Sequence, residues 1–220
     1  INVGVKTDDG TITASPYSVG MQTTGGIVLN QGTVNVNSAN SVGLQSDDAN
    51  GVITNNGTIY IDDTALNSYA FLSKAGSAVN GTTGIVINNQ SNTDYMRAEG
   101  GEIRNNGTLT INNSVSNVNA MHVALINNGT INIMAGATGS VAMYGEKGTI
   151  SNGKKGVINM GVSGTVMKAT DATISNEGTI TLANTASTAM RITNNGTAQN
   201  AASGTINVNG SNSYALAADD

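Results

Sequence analysis

The sequence predicts an all-β chain that folds as a parallel β-helix, or β-solenoid, with about nine rungs of three short strands each. Gly, Asn and Thr make up 87 of the 220 residues, which disfavours helices because all three are poor helix formers. Short apolar segments recur along the whole chain, bounded by Gly, Asn, Ser or Asp. Such short strands become stable when each stacks on its copy in the next turn through a parallel ladder of hydrogen bonds. Residues 1–220 are therefore expected to form a single β-helix domain.

The first repeated element is a Gly-Thr-Ile segment with a mean spacing of about 24 residues, within the range of solenoid repeats. Apolar and polar residues alternate after the glycine, so Ile59 and Ile61 of Gly57-Thr58-Ile59-Tyr60-Ile61 are expected to face the core. Gly84-Ile85-Val86-Ile87 departs from the Thr-Ile pattern. The nine glycines are Gly10, Gly32, Gly57, Gly84, Gly107, Gly129, Gly156, Gly178 and Gly204.

The second repeated element carries one large apolar residue per turn, in segments such as Ser140-Val141-Ala142-Met143. Six of the eight methionines share this phase. A soft-metal site is one interpretation of a methionine column, but one flexible apolar side chain per rung favours core packing. The column consists of Met21, Leu44, Phe71, Met96, Met121, Met143, Met167, Met190 and Leu216.

The third repeated element precedes each glycine. An apolar residue, beginning with Val5, is followed two positions later by a polar one, and Asn occupies eight of these nine polar positions. We expect the amides of neighbouring rungs to bond to one another, and asparagine also tolerates the left-handed conformation that a sharp corner needs. The predicted structural Asn ladder is Asn30, Asn55, Asn80, Asn105, Asn127, Asn152, Asn176 and Asn200.

One outward face of the predicted β-helix carries hydroxyls and amides. Threonine is common on ordinary β-surfaces, so the face has a purely structural interpretation. A functional interpretation is self-association, in which many weak hydrogen bonds join two rods. Ice binding is a more remote alternative, because Asn, Tyr60 and Ile85 interrupt the Thr-x-Thr regularity. The candidate self-association face consists of Thr33, Thr58, Tyr60, Thr108, Thr110, Thr130, Asn132, Thr179, Thr181 and Thr205.

A second outward row follows the large-apolar column by one position. Five consecutive rungs carry hydrogen-bond donors there, at a spacing of about 4.8 Å that suits an acidic glycan or an extended acidic peptide. Glu99, Glu146 and Asp171 lie close in sequence, so a solvated mixed-charge face is the alternative. The candidate ligand stripe is Arg97, His122, Tyr144, Lys168 and Arg191.

Composition and motifs disfavour several function classes. Nine Lys and Arg residues, with a net charge of −5, do not supply a nucleic-acid footprint. Polysaccharide-cleaving β-helices need carboxylates on adjacent rungs at one phase, whereas Asp47-Asp48 and Asp62-Asp63 lie on different corners. His122 is the only histidine and lacks partners for a triad or a metal site. We expect no catalytic residue, metal or cofactor, with a carbohydrate-active β-helix enzyme as the alternative function.

Repeats such as Ile53-Thr54-Asn55-Asn56-Gly57-Thr58-Ile59, followed by a Ser-x-Ala-Met type of segment, resemble the passenger domains of bacterial autotransporters. The resemblance is one of repeat style and covers essentially the whole chain. It implies a right-handed, roughly triangular β-helix outside a Gram-negative cell. In that family a C-terminal membrane domain supplies the anchor, and these residues do not include it.

From the repeats and the resemblance together, we expect a non-enzymatic adhesin module at the bacterial cell surface. It would mediate attachment, self-aggregation or biofilm formation. Its partner would be a host surface protein or glycan, or a second copy of itself, and not a nucleic acid.

Overall fold

The structure, a computed structural model, describes residues 1–6, 12–13, 17–90, 94–112 and 124–219. Within these ranges every regular element is a β-strand and none is a helix. The strands form three long faces, and all but one of the described pairings are parallel. The chain is therefore an all-β parallel solenoid, which confirms the predicted fold class.

The first face is a nine-stranded parallel sheet built from the Gly-Thr-Ile segments. Equivalent positions of successive repeats pair, so Val34 lies level with Ile59, and Ile59 with Val86. Ile85 departs from the threonine pattern yet pairs with Thr58, because Val86 keeps the inward phase. The strands are β1 (Asn2–Val3), β6 (Thr33–Val36), β9 (Thr58–Ile61), β12 (Ile85–Asn88), β15 (Thr108–Ile111), β17 (Thr130–Ile133), β20 (Val157–Met160), β23 (Thr179–Leu182) and β26 (Thr205–Val208).

The second face is an eight-stranded parallel sheet that ends each of its strands on an asparagine. Its inward positions include Ile53, Ile103 and Ile150, all fully buried. The strands are β5 (Gly26–Asn30), β8 (Gly51–Asn55), β11 (Ser77–Asn80), β14 (Glu102–Asn105), β16 (Ala124–Asn127), β19 (Gly148–Asn152), β22 (Ala172–Asn176) and β25 (Thr197–Asn200).

The third face is described as two four-stranded parallel sheets that carry the large-apolar column. Met143 lies level with Met167, and Met167 with Met190, whereas Met121 lies outside the described residues. One sheet contains β4 (Val19–Thr23), β7 (Val42–Ser46), β10 (Tyr69–Ser73) and β13 (Met96–Ala98). The other contains β18 (Val141–Gly145), β21 (Thr165–Thr170), β24 (Thr188–Thr193) and β27 (Tyr214–Asp219).

The start of the chain differs from the predicted repeat. The sequence interpretation begins the first copy at Val5 and Gly10, but β2 (Val5–Lys6) pairs antiparallel with β3 (Ile12–Thr13). Asn2 and Val3 take the place on the first face instead. Asp9-Gly10 lies between these two strands in the sequence and is a dipeptide typical of hairpins. Seven turns have all three strands within the described ranges, while the nine-stranded sheet has one strand at each of nine levels.

The core consists of stacked apolar columns that also contain buried polar side chains. Side chains such as Ile59, Phe71 and Met143 are fully buried and form one continuous apolar cluster. Asn88 occupies an inward position of the first face, and its Nδ2 donates to the Gln90 carbonyl oxygen at 3.2 Å. The Gln90 side chain accepts from the Ser68 backbone nitrogen at 3.2 Å and donates to the Ser68 carbonyl oxygen. These bonds satisfy polar groups whose burial would otherwise be costly.

Candidate functional site

The eight residues of the predicted Asn ladder stack in one row at the ends of the second-face strands. Each Nδ2 from Asn30 to Asn176 donates to the Oδ1 of the ladder residue in the next turn, with N···O distances of 2.7 to 2.9 Å. The seven ladder residues before Asn200 are buried, and Asn200 is exposed. The row therefore links eight levels of the solenoid through side chains alone.

The ladder amides also hold the corner backbone. Asn55 Nδ2 donates to the Gly57 carbonyl oxygen at 3.1 Å, and Asn80 Nδ2 to the Gly84 carbonyl oxygen at 3.1 Å. Both the amide nitrogen and the amide oxygen are thus bonded, which avoids the cost of an unpaired buried group. This arrangement fixes the level of each turn and hence the alignment of the outward rows.

The left-handed corner residues are not the ladder asparagines, because none of these has a positive φ. Positive φ occurs instead before the second face, as at Asp171, and before the third face, as at Asn40 and Asn67. A serine follows each of the latter two. Ser68 Oγ accepts from the Ser41 backbone nitrogen at 2.9 Å and donates to the Ser38 carbonyl oxygen at 2.9 Å. The recurring Asn-Ser dipeptide was the sequence signal for this second corner ladder.

The candidate self-association residues lie in two adjacent rows of the first face, and all are exposed or half-buried. The first row is Thr33, Thr58, Ile85, Thr108, Thr130, Val157, Thr179 and Thr205. The second row is Asn2, Asn35, Tyr60, Ile87, Thr110, Asn132, Asn159, Thr181 and Asn207. Neither row contains a charged side chain.

The candidate ligand stripe is described in two parts on the third face. Tyr144 lies level with Lys168, and Lys168 with Arg191. Arg97 lies level with Leu72 in the other sheet, and His122 lies outside the described residues. Leu72 and Gln45, which precede Arg97 in the same row, are 5% and 1% exposed. The open part of the row is therefore shorter than the repeat alone suggests.

Acidic neighbours offset much of the stripe's positive charge. Arg97 Nε lies 3.5 Å from Glu99 Oε1, and Arg191 Nε lies 2.6 Å from Asp219 Oδ2. The Arg191–Asp219 hydrogen bond lowers the pKa of Asp219 and raises the pKa of Arg191.

Lys168 Nζ lies 5.8 Å from the centroid of the Tyr144 ring, a cation–π contact. Burial raises the pKa of Tyr144, whose hydroxyl donates to Glu146 Oε1 at 3.2 Å. In the described ranges, Lys168 is the stripe cation without a carboxylate at ion-pair distance.

The described aspartate pairs stabilise corners. Asp47 Oδ1 lies 2.9 Å from Lys74 Nζ, and this bond lowers the pKa of Asp47 and raises the pKa of Lys74. Asp48 Oδ1 accepts from the Asn50 backbone nitrogen at 2.8 Å. Asp62 Oδ1 accepts from the Thr64 hydroxyl at 2.7 Å.

Among the described residues, no group of three or more His, Cys, Asp or Glu side chains is placed to hold a metal ion. The same residues contain no helix of the length and apolar character needed to cross a bilayer. Comparison with protein families, curated proteins and solved structures finds no match to this chain.

Proposed function

We propose that this chain is an adhesive module on a bacterial cell surface, and that its first face associates with a second copy of the same module. The observation that supports self-association is the pair of outward rows without a charged side chain, in a protein whose net charge is −5. The resemblance of the repeats to autotransporter passenger domains supports the location and the adhesive role.

Electrostatics favours this face over the third face. Two copies of an acidic protein repel each other, and the repulsion is weakest where the approaching surfaces carry no charge. The third face and the corners that follow its strands carry ion pairs, such as Asp47–Lys74 and Arg191–Asp219, which would lose solvent in an interface. Desolvating such pairs costs energy that their mutual attraction does not always recover.

The adhesion comes from weak contacts that are repeated along a rigid solenoid. A hydrogen bond contributes about 0.5–1.5 kcal/mol net, so a single hydroxyl or amide contact is weak. Once the first contacts form, neighbouring levels meet at high effective concentration and the small contributions accumulate. The Asn ladder already holds these levels in line, which lowers the ordering cost of association.

Analytical ultracentrifugation over a concentration series tests the proposal. The wild-type chain should show a concentration-dependent dimer. The double variant Thr110→Lys and Thr181→Lys should weaken dimerisation at least about tenfold, since like charges meet across the interface. Two added lysines change the net charge from −5 to −3, so general repulsion falls and any loss of dimer is local to this face.

The matched control is Thr54→Lys with Thr173→Lys, which places the same charges on the second face. This control should dimerise as the wild type does. A wild-type chain that stays monomeric at every concentration would contradict self-association and favour a different partner at the ligand stripe. Equal weakening by both double variants would contradict the choice of the first face.

A further inference from the structure

The chain contains eight Asn-Gly dipeptides, which differ in burial and in hydrogen bonding. In this dipeptide the glycine nitrogen can attack the asparagine side-chain carbonyl with little steric hindrance, because glycine has no Cβ. The reaction requires a mobile asparagine side chain and a glycine N–H that can be deprotonated. The asparagines are Asn50, Asn56, Asn80, Asn106, Asn128, Asn152, Asn195 and Asn209.

Two of these dipeptides are built into the Asn ladder. Asn80 and Asn152 are fully buried, and each side chain both donates to and accepts from a ladder neighbour. The following N–H groups are also bonded, Gly81 N to the Asn55 carbonyl oxygen and Gly153 N to the Asn127 carbonyl oxygen, both at 2.8 Å. Attack would require the local turn to open first.

In four further dipeptides, a hydrogen bond restrains either the glycine N–H or the asparagine side chain. The backbone nitrogens of Gly51, Gly57 and Gly129 donate to carbonyl oxygens at 2.9, 3.1 and 3.0 Å. In the remaining one, Gly107 is buried and Asn106 Oδ1 accepts from Asn128 Nδ2 at 3.3 Å. Each therefore lacks either the mobile amide or the free N–H.

Asn195 and Asn209 combine both requirements. Both are exposed, and within the described part of the chain neither side-chain amide has a hydrogen-bond partner. The backbone nitrogens of Gly196 and Gly210 likewise have no described acceptor. Asn195 uses only its backbone nitrogen, which donates to Asp171 Oδ1 at 3.4 Å.

We infer that Asn195 and Asn209 are the sites at which the folded protein deamidates without an enzyme. The glycine nitrogen bonds to Cγ of the asparagine, the bond from Cγ to Nδ2 breaks, and the glycine proton leaves with that nitrogen as ammonia. The succinimide ring then adds one water and opens at either carbonyl to give aspartate or isoaspartate. Each event adds one negative charge, and isoaspartate also inserts a methylene into the backbone.

The test is incubation of the folded chain at mildly alkaline pH, followed by digestion and mass spectrometry of each Asn-Gly peptide. Peptides with Asn195 and Asn209 should convert first. Peptides with Asn80 and Asn152 should convert at least about tenfold more slowly, because their reaction requires local opening. In urea, where the ladder is lost, the eight peptides should convert at similar rates.

Asn195→Gln and Asn209→Gln are the matched controls, since a glutamine would need a less favourable six-membered ring. Each should abolish conversion at its own position and leave the other site unchanged. Conversion of the Asn80 or Asn152 peptide as quickly as the exposed ones in the folded protein would overturn the inference. So would the absence of conversion at both exposed sites while the urea control converts.

Discussion

At the scale of single residues, Asn127 shows how one side chain connects three turns. Its Nδ2 donates to Asn152 Oδ1 at 2.8 Å and to the Gly129 carbonyl oxygen at 3.2 Å, while its Oδ1 accepts from Asn105 Nδ2 at 2.8 Å. The repeat spacing predicts that such amides stack. The spacing does not predict which corner residues are left-handed, because Asn suits both the stacked position and the positive φ seen at Asn40.

Replacing Asn127 with leucine should destabilise the solenoid by about 1–3 kcal/mol for each buried partner left unpaired. The Asn105 amide and the Asn152 oxygen both lose a bond. The urea denaturation midpoint, with the slope unchanged, measures the loss.

Asn159→Leu is the comparison variant. Asn159 is exposed on the first face and donates to Asn132 Oδ1 at 2.9 Å, so water can replace its bond. Its free energy of unfolding should change by no more than about 0.5 kcal/mol. Equal losses in the two variants would show that burial of the ladder contributes nothing.

At the scale of elements, glycines near the start of the second-face strands explain how closely the turns approach. Gly101 has φ +87°, and a Cβ added there would lie 1.8 Å from the Gly76 carbonyl oxygen. Gly148 has a similar φ of +89°, but a Cβ would meet no atom within 4 Å. The two positions share one backbone conformation and differ in available space.

Alanine at these two glycines should therefore separate backbone strain from steric overlap. Gly148→Ala is expected to cost about 1–2 kcal/mol, the cost of a left-handed alanine. Gly101→Ala is expected to cost about 1–3 kcal/mol more, because the neighbouring turn must move. Chemical denaturation measures both, and equal losses would mean that the stacked turns yield without penalty.

Sequence alone predicted most of the elements but not all their partners. The Thr-Ile alternation locates the first-face strands, and even Ile85 keeps register because its neighbour Val86 faces inward. The same alternation at Ile12 fits a parallel rung or an antiparallel hairpin equally well, so the sequence pattern does not determine which strand it pairs with.

Asn88 was not predicted as a core residue, since its stabilising bonds come from Gln90 at the next corner. The Arg191–Asp219 pair joins residues 28 positions apart, so it depends on turn length as well as repeat phase.

At the scale of the whole molecule, burial varies along the axis. Ile103, Leu125 and Ile150 in the middle turns are fully buried, whereas Val28 is only partly buried and Leu216 is 47% exposed. In a solenoid each turn is stabilised mainly by its two neighbours. The middle turns should therefore unfold locally only rarely and as one unit, whereas the outer turns should unfold locally more often.

Native-state hydrogen exchange should show this gradient. Amides of β14, β16 and β19 are expected to exchange at least about tenfold more slowly than those of β5, β25 and β27, since local opening free energy rises toward the best-packed region. The measurement belongs at a concentration where the chain is monomeric. Uniform protection along the axis would instead indicate a single all-or-none unfolding unit.

The one-way direction of the Asn ladder gives the rod an electrical polarity. Each ladder amide from Asn30 to Asn176 points its N–H toward the next ladder residue, on the C-terminal side, and the acceptor is that residue's side-chain oxygen. Aligned amide dipoles reinforce one another, as peptide dipoles do along a helix. The side-chain dipoles of the ladder therefore place partial positive charge at the level of Asn200 and partial negative charge at the level of Asn30.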